Sequence, residues 1–297
     1  MTNISQKIVF FGTEEFSTYS LKKLIEAGYT IAAVVTKPDN RKGRGQKLTE
    51  PPVKTIALQH NIPVLQPQKI MDISDELKSI DHPLGVLVSY GKIIPQAIID
   101  LFTPGIVNVH PSLLPTYRGP SPIESAIEHG DQETGVTIMQ LSAEMDAGPI
   151  YAYIPHELTG RETRPELYTT LGQLGAELLL AVLPDIAHGR MMPGLQDDSI
   201  SSYSSLLNKS DAYLQPQTQT ASEAERLIRA HLGFPKSKLS VQGHEIIITK
   251  AHVTDQQETP LDVAFKGGTY LSVDELIAPS GKLMNAAAFL RGYHLTQ

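Results

Sequence analysis

The sequence contains no cysteine. This absence excludes disulfide bonds, thiolate nucleophiles and cysteine-ligated zinc sites. An overall basic excess is also missing, because the formal net charge is −7, and any contact with nucleic acid must therefore use a local basic patch. The longest apolar run, AELLLAVLP, is shorter than a membrane span, and the amino-terminal run is too short for a signal-peptide core. We therefore expect a cytoplasmic protein with no membrane partner.

Two phosphate-binding motifs are absent as well. The first predicted strand-to-helix turn reads FFGTEEF, with one glycine, and Glu14 and Glu15 stand where a pyrophosphate would need bare main-chain N–H groups. This argues against a nicotinamide dinucleotide. No G-x-x-x-x-G-K-[ST] segment occurs, which excludes a P-loop nucleotidase. The ten histidines show no ligand spacing with carboxylates, so we predict no metal site.

Alternating strand and helix patterns fill the first two thirds of the chain. Short apolar runs bounded by glycine or polar residues alternate with segments that have helical periodicity, which predicts a mostly parallel sheet covered by helices, a Rossmann-like α/β domain. The main strands are expected at residues 7–11, 30–36, 84–89, 105–109 and 135–141, and helices near 14–28, 53–60 and 95–102, from 122, and from 166 to about 188.

Composition changes after residue 189. Residues 190–220 are rich in Ser, Gln, Asp and Pro and lack sustained periodicity, which is typical of a linker or domain boundary, and we place the linker at 190–208. We therefore expect a catalytic domain at 1–189 and a second domain at 209–297. The second domain is predicted to begin with a helix that has a capping box between Ser222 and Glu225. The short strands that follow, joined by glycine-containing turns, predict a small β-barrel.

The segment NVHPSLLPTYRGPSPI is the most informative stretch. Asn108 and His110 end a predicted parallel strand and, two residues apart, point to the same side of the sheet. Asp146 lies in a Gly- and Pro-containing loop after another predicted parallel strand. A lone strand-end histidine is more often a satisfied polar residue, and an Asp-Ala-Gly turn is ordinary. An acid, an imidazole and a carboxamide at one sheet edge nevertheless suit acyl transfer to an amine, through proton acceptance and oxyanion stabilisation.

These segments resemble formyltransferases that use 10-formyltetrahydrofolate. The resemblance implies that Asn108, His110 and Asp146 are catalytic and that 10-formyltetrahydrofolate is the formyl donor. The implied folate contacts lie in two short stretches: Ser112, Leu113, Leu114 and Pro115, and Ser89, Tyr90, Gly91 and Ile93. The motif is shared with sugar-amine formyltransferases and formyl-folate hydrolases, which stay open as alternatives, as does a catalytically idle RNA-binding module with this fold.

Three further features resemble the methionyl-tRNA formyltransferases. They are the amino end IVFFGTEEFS with Phe16 in a substrate-pocket position, the loop TKPDNRKGRGQKLTEPPVK, and a carboxy-terminal region that resembles the start of a β-barrel of the OB type. The resemblance implies transfer to initiator methionyl-tRNA by a monomer. The region from Leu207 onward departs from the usual positive charge of that domain, since it has nine basic and nine acidic residues.

The loop from Lys37 to Lys54 carries the local charge that the whole chain lacks. Six basic residues stand against Asp39 and Glu50, a local charge of +4. A solvated charged loop is the ordinary alternative. Its place after the second strand, together with the resemblance, predicts contacts with tRNA phosphates through Arg41, Lys42, Arg44 and Lys47.

Overall fold

A computed structural model of the chain describes residues 6–42 and 47–293, apart from the side chains of Lys42 and Lys47. The residues group into two compact units, each formed by three segments. The first unit comprises Met1–Pro120, Thr134–His156 and Tyr168–Ser204. The second comprises Ser121–Glu133, Glu157–Leu167 and Ser205–Gln297.

The strands and helices predicted up to residue 187 are present, and the structure adds further elements, among them a strand at Ile150–Glu157 that the sequence did not predict. The strands are β1 Ile8–Gly12, β2 Ile31–Val35, β3 Asn40–Lys42, β4 Lys47–Thr49, β5 Val64–Leu65, β6 Leu84–Val88, β7 Ile106–His110, β8 Glu133–Gln140 and β9 Ile150–Glu157. The helices are α1 Glu15–Glu26, α2 Pro52–Gln59, α3 Ser74–Lys78, α4 Gln96–Ile99, α5 Pro122–His129 and α6 Arg164–Ala187. A 3₁₀ helix, Ile70–Ile73, precedes α3.

Seven strands form one sheet in the order β5-β2-β1-β6-β7-β8-β9. The pairs from β5 to β7 are parallel, which confirms a mostly parallel, Rossmann-like α/β sheet. β8 pairs with β7 in the antiparallel direction, Val107 lying opposite Gln140, so the prediction that β8 is parallel was wrong. Apolar patterning records burial and not strand direction, which is why the sequence did not distinguish the two.

The core of the first unit lies on both faces of this sheet. One cluster joins Phe11, Tyr90 and Phe102 with apolar residues of the 3₁₀ and α-helical segments between residues 70 and 99. α6 has the length and mean hydropathy of a membrane span, and 44% of its most apolar 18-residue stretch is buried inside the protein. Glycines bring α6 close to its neighbours, since a Cβ at Gly175 would lie 2.8 Å from Val109 of β7. This contact makes α6 a core helix of the unit.

The second unit is built around an antiparallel sheet. Its carboxy-terminal elements are α7 Ala221–Ala230, β10 Lys238–Val241, β11 His244–Thr254, β12 Val263–Ala264, β13 Tyr270–Ile277, β14 Leu283–Asn285 and α8 Ala286–Gly292. The strand order is β10-β11-β13-β12, with β14 paired to β13. Buried residues of α7, α8 and the strands, among them Ile228, Ile246 and Phe289, form one core cluster.

The amino end of α7 differs from the prediction. The N-cap is Thr220, whose hydroxyl accepts from the Glu223 N–H while the Glu223 carboxylate accepts from the Thr220 N–H at 2.7 Å. The predicted box between Ser222 and Glu225 was therefore wrong by two residues. Glu225 instead pairs with Arg229 one turn later, at 2.7 Å.

Candidate active site

Asn108 and His110 lie at the carboxyl end of β7 and face the same side of the sheet. Both are nearly inaccessible, with exposed fractions of 4% and 5%. Val109, between them, points to the opposite face, where it lies close to Gly175 of α6. Alternation along the strand thus assigns one face to the helix and the other to the two polar side chains.

Asp146 completes a cluster with these two side chains. Its Oδ1 accepts from Asn108 Nδ2 at 3.4 Å, and its Oδ2 lies 3.7 Å from His110 Nδ1. Because β8 is antiparallel, Asp146 does not follow the end of a parallel strand; it lies in the loop between β8 and β9. Its φ of 48° is in the left-handed region, a strained conformation for a residue other than glycine. We call Asn108, His110 and Asp146 the carboxylate–imidazole cluster.

Main-chain groups of residues 117–119 hold two members of the cluster. His110 Nε2 lies 2.9 Å from the Tyr117 carbonyl, which can only accept, so Nε2 carries a proton. In the neutral ring the lone pair is then on Nδ1, on the side of Asp146. Asp146 Oδ2 accepts from the Gly119 N–H at 2.8 Å. Sequence reasoning missed both groups, because main-chain partners leave no residue-type signal.

The predicted folate segment Ser112–Pro115 is a tight, internally bonded turn. The Ser112 hydroxyl donates to the Thr116 carbonyl at 2.6 Å. Thr137 of β8 donates to the Ser112 carbonyl at 2.7 Å and accepts from the Leu114 N–H at 3.1 Å. Leu114 is buried, whereas Leu113 and Pro115 are half-buried. Thr137 therefore fixes the main chain of this turn, a role that nothing in its sequence context indicates.

The second predicted folate segment follows β6, the strand next to β7. Ser89 and Gly91 both have positive φ, at 46° and 69°, and Thr13 donates through its N–H and hydroxyl to the carbonyls of Ser89 and Tyr90. The Tyr90 ring is fully buried against Phe11, and burial raises the pKa of its hydroxyl to about 12. Gly91 is exposed.

The two remaining predicted ligand contacts, Ile93 and Phe16, differ in solvent exposure. Ile93 is 81% exposed, which leaves its side chain available to a ligand. Phe16, predicted to line the substrate pocket, is 2% exposed and stands edge-on to Tyr168 with ring centroids 5.9 Å apart. The structure therefore places Phe16 in the core of the first unit and does not bring it into the carboxylate–imidazole cluster.

The predicted tRNA loop contains a two-stranded hairpin. Arg41 of β3 lies opposite Leu48 of β4 and is exposed, and Lys42 pairs with Lys47 through the main chain. Arg44 lies outside the described residues. The segment 40–49 contains four basic and no acidic residues.

Ion pairs hold the base of this hairpin. Lys54 Nζ lies 2.7 Å from Asp39 and 3.0 Å from Glu50. Hydrogen bonds from Gln66 and then Lys54 lower the pKa of Asp39, and those same acids raise the pKa of Lys54. Both acidic residues of the loop are thus paired with Lys54, whereas Arg41 of β3 is exposed.

Metal ligation has no support in the part of the chain that the structure describes. Residues 6–42 and 47–293 contain no group of three or more His, Asp or Glu side chains arranged to hold an ion. The cluster of Asn108, His110 and Asp146 instead offers one carboxylate, one imidazole lone pair and one amide donor.

Comparisons with known proteins identify the family of the chain. A family model described as formyl transferase matches residues 6–183. The methionyl-tRNA formyltransferase of Stutzerimonas stutzeri (strain A1501) is 41% identical, covering 93% of this chain and 91% of the relative. That of Pseudomonas savastanoi pv. phaseolicola (strain 1448A / Race 6) is 39% identical, covering 95% and 93%.

Solved structures share the fold at much lower identity. The N-formyltransferase from Helicobacter canadensis, in complex with folinic acid and dTDP-3-aminofucose, has a TM-score of 0.70 at 18% identity over 90% of this chain and 99% of that one. HypX from Aquifex aeolicus, in complex with tetrahydrofolic acid, has a TM-score of 0.67 at 16% identity over 97% and 47%. The family match and the extent of the sequence relatives together show that the chain belongs to the formyl transferase family and, within it, to the methionyl-tRNA formyltransferases.

Proposed function

We propose that the protein transfers the formyl group of 10-formyltetrahydrofolate to the α-amino group of methionine on initiator methionyl-tRNA. The observation that carries the proposal is the carboxylate–imidazole cluster, in which Asn108 and His110 each face one oxygen of Asp146 within 3.7 Å. The names of the sequence relatives support the tRNA substrate.

The chemistry needs no covalent intermediate with the protein. The new bond joins the α-nitrogen of methionine to the formyl carbon, the bond from that carbon to the donor nitrogen breaks, and one proton passes from the amine to the departing nitrogen. His110 Nδ1 is the acceptor for this proton, since Nε2 already donates to the Tyr117 carbonyl. Asp146, 3.7 Å from Nδ1, stabilises the imidazolium that forms.

Asn108 supplies the electrostatic contribution. One of its two amide protons is directed at Asp146, and the other is available for the negative charge that develops on the formyl oxygen. A donor that is held in place before the reaction stabilises this charge without reorganisation. The burial of Asn108 strengthens the effect, because a low local dielectric increases electrostatic interactions.

The residues that would hold the formyl donor are those of the two strand-end segments. The main chain of Ser89, Tyr90 and Gly91 and the side chain of Ile93 offer polar edges beside an exposed apolar surface, which suits a flat conjugated heterocycle. Gly91 is exposed, and a Cβ added there would meet Lys37 Nζ, so the Lys37 ammonium lines the same surface. The Ser112–Pro115 turn, fixed by Thr137, follows the neighbouring strand β7.

For tRNA, the proposed contacts are Arg41, Lys42, Arg44 and Lys47. The pairing of Asp39 and Glu50 with Lys54 supports this assignment, because it engages both acids of the loop with a lysine that is not among the four proposed contacts. We further propose a catalytic domain at 1–189, a linker at 190–208 and an OB-like barrel at 209–297 that contacts tRNA. The antiparallel order β10-β11-β13-β12 supports a barrel of this type. We also propose that the protein is a monomer and acts in the cytoplasm.

Formylation of methionyl-tRNA tests the function directly. Purified protein is incubated with 10-formyltetrahydrofolate and charged initiator methionyl-tRNA, at low and raised salt, with elongator methionyl-tRNA and free methionine as controls. We expect rapid formylation of the initiator alone, weakened by salt because phosphate contacts release counterions.

Two further arms separate the alternatives. Formylation of a nucleotide-linked amino sugar, without formylation of tRNA, would contradict the proposal in favour of a sugar-amine enzyme. Release of formate from the donor without any acceptor amine would indicate a hydrolase, and folded protein that binds tRNA but transfers nothing would indicate an idle binding module.

A further inference from the structure

Gln196 connects the loop that carries Asp146 to the rest of the first unit. Its Nε2 donates to the carbonyls of Asp146 at 2.8 Å and Gly148 at 2.7 Å. Its Oε1 accepts from Nε and Nη2 of Arg118, at 3.0 and 2.8 Å. A guanidinium only donates and a carbonyl only accepts, so these four partners allow a single orientation of the amide. The two N–H donors and the two acceptor lone pairs of this side-chain amide are thus all used between Arg118 and the Asp146 loop.

Arg118 anchors this connection from a buried position. It is 2% exposed, and its Nη2 also lies 2.6 Å from Asp198 while Nη1 donates to the Tyr203 hydroxyl at 3.3 Å. Burial by itself lowers the pKa of Arg118, but the hydrogen bonds to Asp198 and Tyr203 outweigh it and leave the pKa raised. The guanidinium therefore stays charged and its donors keep fixed directions.

The position of Arg118 in the chain gives this network its meaning. The residue before it holds His110 through its carbonyl, and the residue after it donates to Asp146 from its N–H. The Arg118 side chain reaches the same loop a second time, through Gln196. Three consecutive residues thus fix the imidazole and both the carboxylate and the main chain of Asp146.

We infer that Gln196 and Arg118 are positioning residues that hold Asp146 in register with His110 and Asn108 for catalysis. The inference rests on the proposed function, because it concerns the same site. Neither residue is expected to touch a substrate. Gln196 belongs to the segment 190–208, which the sequence alone predicts to be a linker, so part of that linker is assigned to the catalytic machinery.

Gln196→Met is the first test, because Met keeps the length of the side chain and removes its hydrogen bonds. We expect kcat to fall by about 10- to 100-fold, as for other small displacements of a catalytic group, with KM for methionyl-tRNA changed by less than about 3-fold. Gln59→Met is the matched control: Gln59 is an exposed residue at the end of α2, and its variant should keep wild-type kcat. Wild-type kcat in Gln196→Met would overturn the inference.

A double-mutant cycle distinguishes positioning from general support. If Gln196 acts through Asp146, the Met substitution should change the single-turnover rate by less than about 2-fold in an Asp146→Ala background. A full multiplicative loss in that background would show a structural role and overturn the inference. Gln196→Glu keeps the acceptors for Arg118 but turns a carboxylate oxygen toward the carbonyls of Asp146 and Gly148. We therefore expect kcat of this variant to be as low as that of Gln196→Met. A wild-type kcat in Gln196→Glu would also contradict the positioning role.

The outcome for the proposed function is read separately. An inactive wild-type enzyme means that the proposed function fails. Active wild type with unchanged Gln196 variants means that only the positioning role fails. Thermal unfolding of each variant identifies any variant that loses activity because it unfolds. If the Gln196 variants unfold, the double-mutant cycle with Asp146→Ala is repeated with Arg118→Lys in place of Gln196→Met, under the same criteria.

Discussion

The carboxylate–imidazole cluster and the β3–β4 hairpin are two polar regions of the same unit, with very different construction. In the cluster, Asn108 is 4% exposed, and the side chains of His110 and Asp146 are 6% and 16% exposed. In the hairpin, Arg41 is exposed and the opposite residue, Leu48, is 59% exposed.

The difference follows from what each region has to do. Proton transfer and charge stabilisation need groups fixed to within fractions of an ångström, and burial with main-chain partners provides this. Phosphate contacts tolerate variable geometry and act additively through charge, so they can be exposed. Changes in the cluster should therefore alter kcat, whereas changes in the hairpin should alter KM and its dependence on salt.

The largest effect is expected from the cluster itself. Asp146→Ala removes the partner of both other side chains, and Asn108→Ala removes the amide donor, so each should lower kcat by at least about 10²- to 10³-fold. Steady-state formylation with saturating methionyl-tRNA measures this. Asp81→Ala, which removes a carboxylate that is 94% exposed, should leave kcat unchanged. Near wild-type turnover in either site variant would contradict the assignment of the cluster.

A smaller effect is expected at Gly119, which tests whether main-chain geometry matters as much as side chains. Its φ is 109°, and an added Cβ would lie 2.8 Å from the Ser204 carbonyl oxygen, so Gly119→Ala must shift the N–H that donates to Asp146. We expect kcat to fall by about 10-fold and the free energy of unfolding by about 1–3 kcal/mol.

Gly189→Ala is the matched control for that variant. Gly189 also has a positive φ, 66°, but no heavy atom lies within 4 Å of an added Cβ. It should therefore lose stability through backbone strain alone and keep its kcat. Equal losses of kcat in the two variants would show that the contact of Gly119 with Asp146 has no special role.

The sequence predicted the parts of this comparison that depend on local pattern. The run Ile106–His110 has the alternation of a strand, so the common direction of Asn108 and His110 follows from periodicity. The basic loop is visible from composition. The helix that begins at Pro122 was placed correctly for the same local reasons.

Features that depend on tertiary contacts were not predicted. The direction of β8 and the way Asp146 returns to β7 are set by strand pairing, which periodicity does not encode. Phe16 was expected in a substrate pocket, but it is 2% exposed and packs in the core, a difference that depends on its tertiary neighbours. The capping box was predicted two residues too late, because the S/T-x-x-E pattern occurs twice, at Thr220 and at Ser222. In the structure Glu223 caps the helix and Glu225 pairs with Arg229.

The smallest effect is expected in the hairpin and defines its side of the comparison. Arg41→Ala and Lys42→Ala should each raise KM for methionyl-tRNA by about 3- to 10-fold and reduce the slope of log KM against log salt by about 0.7–0.9, because one phosphate contact is lost. Lys78→Ala, an exposed lysine paired with Asp75, is the control for loss of one positive charge. With saturating tRNA, kcat should stay at the wild-type value, since the buried cluster is intact. A fall in kcat without a change in the salt slope would place the hairpin within the catalytic machinery, because charge screening would then have no part in its effect.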